Sequence, residues 1–139
     1  MSSENSIEAV LDTDWAELRY FIDLSWYQEN NRSFSAIAKS RMCPACQNRL
    51  TEEREGAEAR DLLVAISDCC SNAQGFITSS LPILEAAFRL FLANGNQPLG
   101  LEEISEQLTG WRGGSGTPSP QILRCLLDND RYYGLRRAP

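Results

Sequence analysis

The stretch RMCPACQNRL, residues 41–50, holds two cysteines separated by two residues, and SDCCSN, residues 67–72, holds two more side by side. Two-residue spacing lets the backbone curl so that both sulfurs face one metal ion, and Pro44 helps to fix that turn. Adjacent residues point in different directions on an extended chain, so Cys69 and Cys70 converge only where the backbone bends. A bend is expected there because a helix ends and the following Ser-Asn pair favours a turn.

The two pairs together predict one structural zinc site. Histidine is absent from the chain, which leaves thiolates as the only soft ligands. Four thiolates close a tetrahedral site without a position for water, so one structural Zn²⁺ per chain is expected. An iron–sulfur cluster uses the same ligands and stays open as an alternative. The predicted ligands are Cys43, Cys46, Cys69 and Cys70.

Two other interpretations of the CPAC stretch are a redox pair and ordinary thiols. Thioredoxin-like redox motifs occur in a βαβ context, whereas helical patterns surround this one. Three cations, Lys39, Arg41 and Arg49, flank the first pair, and we expect them to offset the thiolate charge and lower the thiol pKa values. The fifth cysteine, Cys125 in ILRCLL, is predicted to be a small residue at the edge of a helix core.

Composition indicates a packed protein with poor nonspecific attraction to nucleic acid. The chain has 139 residues, 42% of them hydrophobic, and a net charge of −6. Residues 1–80 carry 7 basic and 13 acidic side chains, whereas residues 81–139 carry 6 of each, so the excess acid is N-terminal. No stretch suits a membrane span and the N-terminus lacks a signal-peptide pattern, which predicts a cytoplasmic protein whose thiols stay reduced.

The first half is predicted to be helical after a polar tail at residues 1–12. Apolar residues at helical spacing predict one amphipathic helix from Asp14 onward, a second is expected in SFSAIAKSR, and Thr51 is expected to cap a third that delivers Cys69. The apolar positions of these helices are Trp15, Leu18, Phe21, Ile22 and Trp26; Phe34, Ile37 and Ala38; and Leu62, Leu63 and Ile66.

The second half begins after the turn-rich SNAQGFITSS, which predicts a boundary near residue 78. Pro82 opens a helix that Gly95 stops, and the short helix LEEISEQL follows. The loop WRGGSGTP leads to a helix with Ser119 as its cap and Pro120 in its first turn. The buried face of that helix is expected to hold Ile122, Leu123, Leu126 and Leu127. The final RYYGLRR suits a short strand.

The order helix, short helix, loop, helix, strand in residues 81–137 resembles the winged helices of the HARE type and of the RNA polymerase delta subunit. The resemblance implies three helices around a small core, with the third exposed and a short β wing after it. The predicted fold class is therefore mainly α: a flexible acidic tail (1–12), a helical zinc-binding unit of no recognised family (13–78) and a winged-helix-like domain (79–139). The WRGGSGTPSP insert and the very short wing depart from the family pattern.

If the third helix is exposed, arginines near it can bind phosphate groups of a nucleic acid, because a guanidinium donates two parallel hydrogen bonds to phosphate. Trp111 or Tyr132 can add stacking on the bases. Asp128 and Asp130 lie in the same neighbourhood, so an ordinary solvated surface is the competing interpretation. The candidate nucleic-acid-binding residues are Arg112, Gln121, Arg124, Arg131, Arg136 and Arg137.

Three functions remain open from the sequence. The first is a non-enzymatic, zinc-containing winged-helix protein that is transcription-related or nucleic-acid-associated, with DNA, RNA or the RNA polymerase machinery as its partner. The second is an interaction adaptor or homodimerisation module, with Trp15, Tyr20, Trp26 and Tyr27 as contacts unless they are core. The third is a redox enzyme using Cys43 and Cys46, which the lack of histidine and of a phosphate-binding glycine loop disfavours. No membrane partner or small-molecule substrate is indicated.

Overall fold

The structure, a computed structural model, describes residues 17–53, 59–73, 75–112 and 117–139. Helices dominate these residues and a small three-stranded sheet joins them, which confirms the mainly-α class. In chain order, the elements are β1 (Arg19–Ile22), α1 (Leu24–Glu29), α2 (Phe34–Lys39), α3 (Pro44–Glu53), α4 (Ala59–Asp68), a 3₁₀ turn (Cys70–Asn72), α5 (Ile83–Ala93), β2 (Leu99–Gly100), α6 (Leu101–Trp111), α7 (Pro120–Asp128) and β3 (Leu135–Arg137).

The sheet joins the two halves of the chain, because β1 lies between β2 and β3 and runs antiparallel to both. Tyr20 is opposite Leu99 on one side and Arg137 on the other, and Ile22 is opposite Leu135. The hydroxyl of Tyr20 reaches α7, where it donates to Asp128 Oδ1 at 2.7 Å. A strand near residue 20 therefore completes a sheet whose other strands lie beyond residue 98.

The helix predicted from Asp14 onward is wrong for residues 19–22, which form β1. Tyr20 and Ile22 are fully buried while Phe21 between them is only partly buried, which is the two-residue period of a strand. Leu18, Phe21 and Ile22 have helical spacing, which favoured a helix in the prediction. The strand forms because β1 pairs with strands far away in the sequence, and the residues around β1 do not indicate that pairing. Trp15 lies outside the described residues.

Helix α1 begins only at Leu24, where Asp23 acts as its N-cap and accepts a hydrogen bond from the Ser25 N–H at 3.0 Å. The α2 prediction is confirmed, with Phe34, Ile37 and Ala38 all buried. The predicted start at Thr51 is wrong, because Thr51 lies inside α3, which begins at Pro44. Proline suits a first helical position, since its missing N–H would have no partner there.

Helix α4 buries Leu62 and Ile66 as predicted, and Leu63 is partly buried against the same core. The α5 prediction is confirmed: Pro82 precedes the helix, and Gly95 follows it with φ +74°. Helix α6 runs on to Trp111, beyond the predicted LEEISEQL.

In α7, Leu123 and Leu127 are buried as predicted, but Ile122 is 54% exposed. Neighbouring positions on a helix point about 100° apart, and the side of α7 that packs against α6 and β3 carries Leu123 and Leu127, which are four residues apart. Tyr132 and Tyr133 lie before β3 rather than in it. Their N–H groups, and that of Leu135, donate to the buried carboxylate of Asp130.

Buried side chains from both halves form one continuous cluster, in which Tyr20, Ile22 and Tyr27 lie with Phe88, Phe91 and Leu135. The buried state of Tyr20, Trp26 and Tyr27 makes them core residues. The division into a zinc unit and a winged-helix-like domain near residue 78 stays a prediction. Within the described ranges, no helix combines the length and apolar character that crossing a bilayer requires.

Candidate metal centre

The four cysteines of the two sequence motifs lie together at one end of α3 and α4. The Sγ atoms of Cys43, Cys46 and Cys70 all lie within 4.8 Å of one another. Cys43 Sγ is 3.6 Å from Cys70 Sγ and 3.9 Å from Cys69 Sγ, which places Cys69 beside the other three. The predicted convergence of the two pairs is therefore confirmed.

Local backbone geometry explains how each pair presents its sulfurs. Cys43 immediately precedes α3 and Cys46 lies in its first turn, so the helix start forms the curl expected of CPAC. Cys69 follows the last residue of α4 and adopts φ −127° and ψ −62°, after which Cys70 begins the 3₁₀ turn. This bend between the two cysteines turns both toward α3, as the sequence argument required.

Two of the separations between the sulfurs, both measured from Cys43, match those of a tetrahedral metal site. With Zn–S bonds of about 2.3 Å, tetrahedral geometry separates the sulfurs by about 3.8 Å. The observed separations of 3.6 and 3.9 Å bracket this value. Both far exceed the roughly 2.05 Å of a disulfide, and none of the five cysteines in the described chain forms one. Cys43, Cys46 and Cys70, with Cys69 at 3.9 Å from Cys43, therefore lie close enough together to hold a metal ion.

Hydrogen bonds within the cluster distinguish Cys43 from the other three thiols. Its pKa is lowered to about 7, because the backbone of Cys46, and then the neighbouring thiols, hydrogen-bond to its sulfur. Burial raises the pKa values of Cys46 and Cys70, and hydrogen bonds with Cys46 and Cys43 raise that of Cys69 to about 11. The Cys43 N–H also donates to Cys70 Sγ at 3.2 Å, which links the two pairs directly.

Of the three flanking cations, Arg41 does not contribute as predicted, because the Cys43 pKa is lowered by hydrogen bonds from Cys46, Cys70 and Cys69. Arg41 turns away from the sulfurs and donates to Glu85 from Nε at 3.0 Å and from Nη2 at 2.7 Å. The side chain of Arg49 lies outside the described residues. The prediction assumed that Arg41 interacts with the cysteines because it is close to CPAC in sequence. The buried carboxylate of Glu85 attracts its guanidinium more strongly than neutral thiols do.

Sequence reasoning missed the network around Glu85. This buried carboxylate accepts hydrogen bonds from Arg41, from Arg89 at 2.8 Å and from the Tyr133 hydroxyl at 3.0 Å. Burial alone would raise the pKa of Glu85, but the two arginines and Tyr133 lower it to about 2. The signal was present in the sequence: Glu85 interrupts the apolar face of ILEAAFRLFLA, and Arg89 follows at i+4.

Of the candidate nucleic-acid residues, Arg112 is held inside the protein. Its side chain is buried and its guanidinium donates to the carbonyl oxygens of Leu81 and Ser79, at 2.8 and 3.1 Å. Arg112 thereby ties the end of α6 to the segment before α5. That placement keeps its guanidinium away from solvent.

Two further candidates, Arg124 and Arg137, share one carboxylate. Arg137 donates to both oxygens of Asp128, at 2.6 and 3.0 Å, and Arg124 Nε lies 3.7 Å from Asp128 Oδ2. Hydrogen bonding to Asp128 raises the pKa of Arg137. Tyr20 donates to the same carboxylate, so Asp128 connects α7, β1 and β3.

The remaining candidates, Gln121, Arg131 and Arg136, are exposed. Within the described ranges, Arg131 and Arg136 form neither an ion pair nor a side-chain hydrogen bond. Close to Arg131, Tyr132 is 50% exposed and the guanidinium of Arg32 lies over its ring, 4.3 Å from the centroid. The C-terminal segment therefore exposes the side chains of Arg131, Arg136 and Tyr132.

Comparison of the chain with protein-family models, with curated proteins and with solved structures finds no match in any of the three.

Proposed function

We propose that the protein is a non-enzymatic, zinc-containing binding protein whose zinc ion has a structural role. The observation that carries this proposal is the 3.6 and 3.9 Å separation of Cys43 Sγ from Cys70 and Cys69. Four thiolates leave no open position for water, so the ion would hold α3 against the end of α4 rather than perform catalysis. Such a tie matters because a short helix such as α3 gains little stability by itself.

We further propose that residues 81–137, together with β1, which lies between β2 and β3 in the sheet, form a winged-helix-like unit that binds DNA. The order α5, β2, α6, α7, β3 supports this, with α7 as the third helix and β3 as a reduced wing. The exposed Arg131 and Arg136 supply the cations for phosphate, and Gln121 lies exposed at the start of α7. For such a DNA-binding protein we propose a transcription-related role.

A second candidate is a protein-interaction adaptor. It is favoured by Ile122 and Cys125, both exposed on α7 three residues apart, and by Tyr132. Exposed apolar side chains on one helix suit a protein partner or a second copy better than phosphate. Light scattering separates the two candidates: a strict monomer that binds DNA supports the first, whereas a dimer dispersed by Ile122→Glu supports the second.

Metal analysis of the purified protein tests the zinc proposal. We expect one zinc per chain in the wild type and in Cys125→Ser, which removes an exposed thiol outside the cluster. The double variant Cys69→Ser/Cys70→Ser is expected to lose the metal. Unchanged zinc in the double variant, or iron with sulfide in the wild type, contradicts the proposal.

A further inference from the structure

We propose that the four-cysteine cluster is also a site of reversible oxidation, at which a peroxide joins Cys69 to Cys43 in a disulfide and expels the metal. This inference rests on the proposed zinc site and adds a reaction to it. Two observations support it: the four sulfurs differ in their exposure to solvent, and the sulfurs of Cys43 and Cys69 lie 3.9 Å apart.

The four thiols differ sharply in their access to solvent. Cys46 and Cys70 are 2% and 1% exposed, so they belong to the core. Cys69 is exposed and Cys43 is intermediate. In the zinc-loaded site all four sulfurs are thiolates, so access to solvent decides which of them reacts first, and an arriving oxidant meets Cys69.

A suitable second thiolate lies next to Cys69. Cys43 Sγ is 3.9 Å away and is itself partly accessible, so the two sulfurs need to approach by about 2 Å to reach the bond length of a disulfide. Cys69 lies at the bend between α4 and the 3₁₀ turn, where its N–H donates to the Ala65 carbonyl at 3.0 Å and its carbonyl accepts from the Asn72 N–H at 3.1 Å. The approach of the sulfurs therefore either comes from side-chain rotation or breaks these two terminal hydrogen bonds.

The chemistry balances with a peroxide as the two-electron oxidant. The Cys69 thiolate attacks one oxygen of hydrogen peroxide, the O–O bond breaks, and hydroxide leaves a sulfenic acid on Cys69. The Cys43 thiolate then attacks Cys69 Sγ, which forms the S–S bond and releases a second hydroxide. The two thiolates lose two electrons in total and the peroxide gains them.

Loss of two ligands leaves Cys46 and Cys70, which are too few to retain zinc in a closed site. The ion therefore departs and α3 loses its metal link to the end of α4. A dithiol reductant restores both thiolates, and added zinc restores the site. Peroxide would thereby change how firmly α3 is held against the end of α4.

The test treats the zinc-loaded full chain with hydrogen peroxide. A chromogenic chelator measures released zinc, and mass spectrometry of a non-reducing tryptic digest locates the disulfide. Cleavage at arginine places Cys43 and Cys46 in peptide 42–49, and Cys69 and Cys70 in peptide 61–89. We expect release of one zinc per chain, a cross-link between these peptides that fragmentation assigns to Cys43 and Cys69, and reversal by dithiothreitol.

Cys125→Ser is the matched control and is expected to behave as the wild type, because Cys125 is equally a solvent-exposed thiol but lies outside the cluster. Zinc retention under peroxide, a disulfide within either peptide, or irreversible sulfinic acid at Cys69 overturns the inference while the zinc site stands. A protein without zinc before treatment contradicts the proposed function and, with it, this inference.

Discussion

The guanidinium of Arg41 forms two hydrogen bonds with the carboxylate of Glu85, at 2.7 and 3.0 Å, directly beside the first cysteine pair. Arg41 is two residues before Cys43, and Glu85 lies on α5, so the ion pair holds the segment that leads into the cysteine cluster against α5. Both side chains are largely buried, at 17% and 10% exposure. The cluster is therefore anchored by an ion pair as well as by its own sulfurs.

Glu85→Gln is expected to lower the free energy of unfolding by about 3 kcal/mol at neutral pH, because it leaves Arg41 and Arg89 without their buried counter-charge. Urea denaturation measures the change. The matched control is Glu103→Gln, which neutralises an exposed ion pair with Arg19 and should change stability by less than about 0.5 kcal/mol. If the two substitutions lowered the free energy of unfolding equally, the buried ion pair would stabilise the protein no more than the exposed one does.

The same carboxylate predicts a pH dependence. Its folded pKa of about 2 lies below the ordinary value of 4.5, so the unfolded chain binds the proton more tightly. The stabilisation is therefore complete above about pH 4.5 and is lost as the pH falls toward 2, by about 3 kcal/mol in all. Urea denaturation from pH 6 to about pH 3 should show a steeper loss for the wild type than for Glu85→Gln. If the free energies of unfolding of the wild type and of Glu85→Gln fell in parallel as the pH dropped, Glu85 would not be the group responsible.

Gly134→Ala is expected to lower the free energy of unfolding by about 2–4 kcal/mol. Gly134 has φ +71°, and a Cβ there would lie 2.7 Å from Tyr27 Cε1, where α1 packs on the loop before β3. Gly110→Ala is the control: it sits in α6 with open space around it and should gain about 0.5–1 kcal/mol. Thermal melting of both variants checks the pair, and equal melting temperatures would contradict the packing described for α1.

Arg131→Ala/Arg136→Ala is expected to weaken duplex DNA binding, and to reduce the slope of log K against log salt by about 2, because each arginine contributes one phosphate contact. Fluorescence anisotropy over a salt series measures both quantities. Lys39→Ala/Arg60→Ala removes the same charge from α2 and α4 and should leave the slope unchanged. If the two double variants weaken binding equally, the arginines near β3 act only through net charge.

The sequence predicted the cysteine cluster because metal-ligand spacing is a local property of the chain and the bend at Cys69 follows from a helix end. It also predicted α2, α5 and α7, whose apolar residues repeat with the helical period. It failed at β1, since the partners of Tyr20 are Leu99 and Arg137, which no local pattern reveals. It failed for Arg41 for the same reason: Glu85 is distant in sequence and adjacent in space.

The central claim is that Cys43, Cys46, Cys69 and Cys70 bind one zinc ion, and X-ray absorption at the zinc edge tests it most directly. The account predicts a single shell of four sulfur atoms at about 2.3 Å in the wild type and in Cys125→Ser. A shell containing oxygen or nitrogen ligands, or a protein whose bound metal is not zinc, would contradict it.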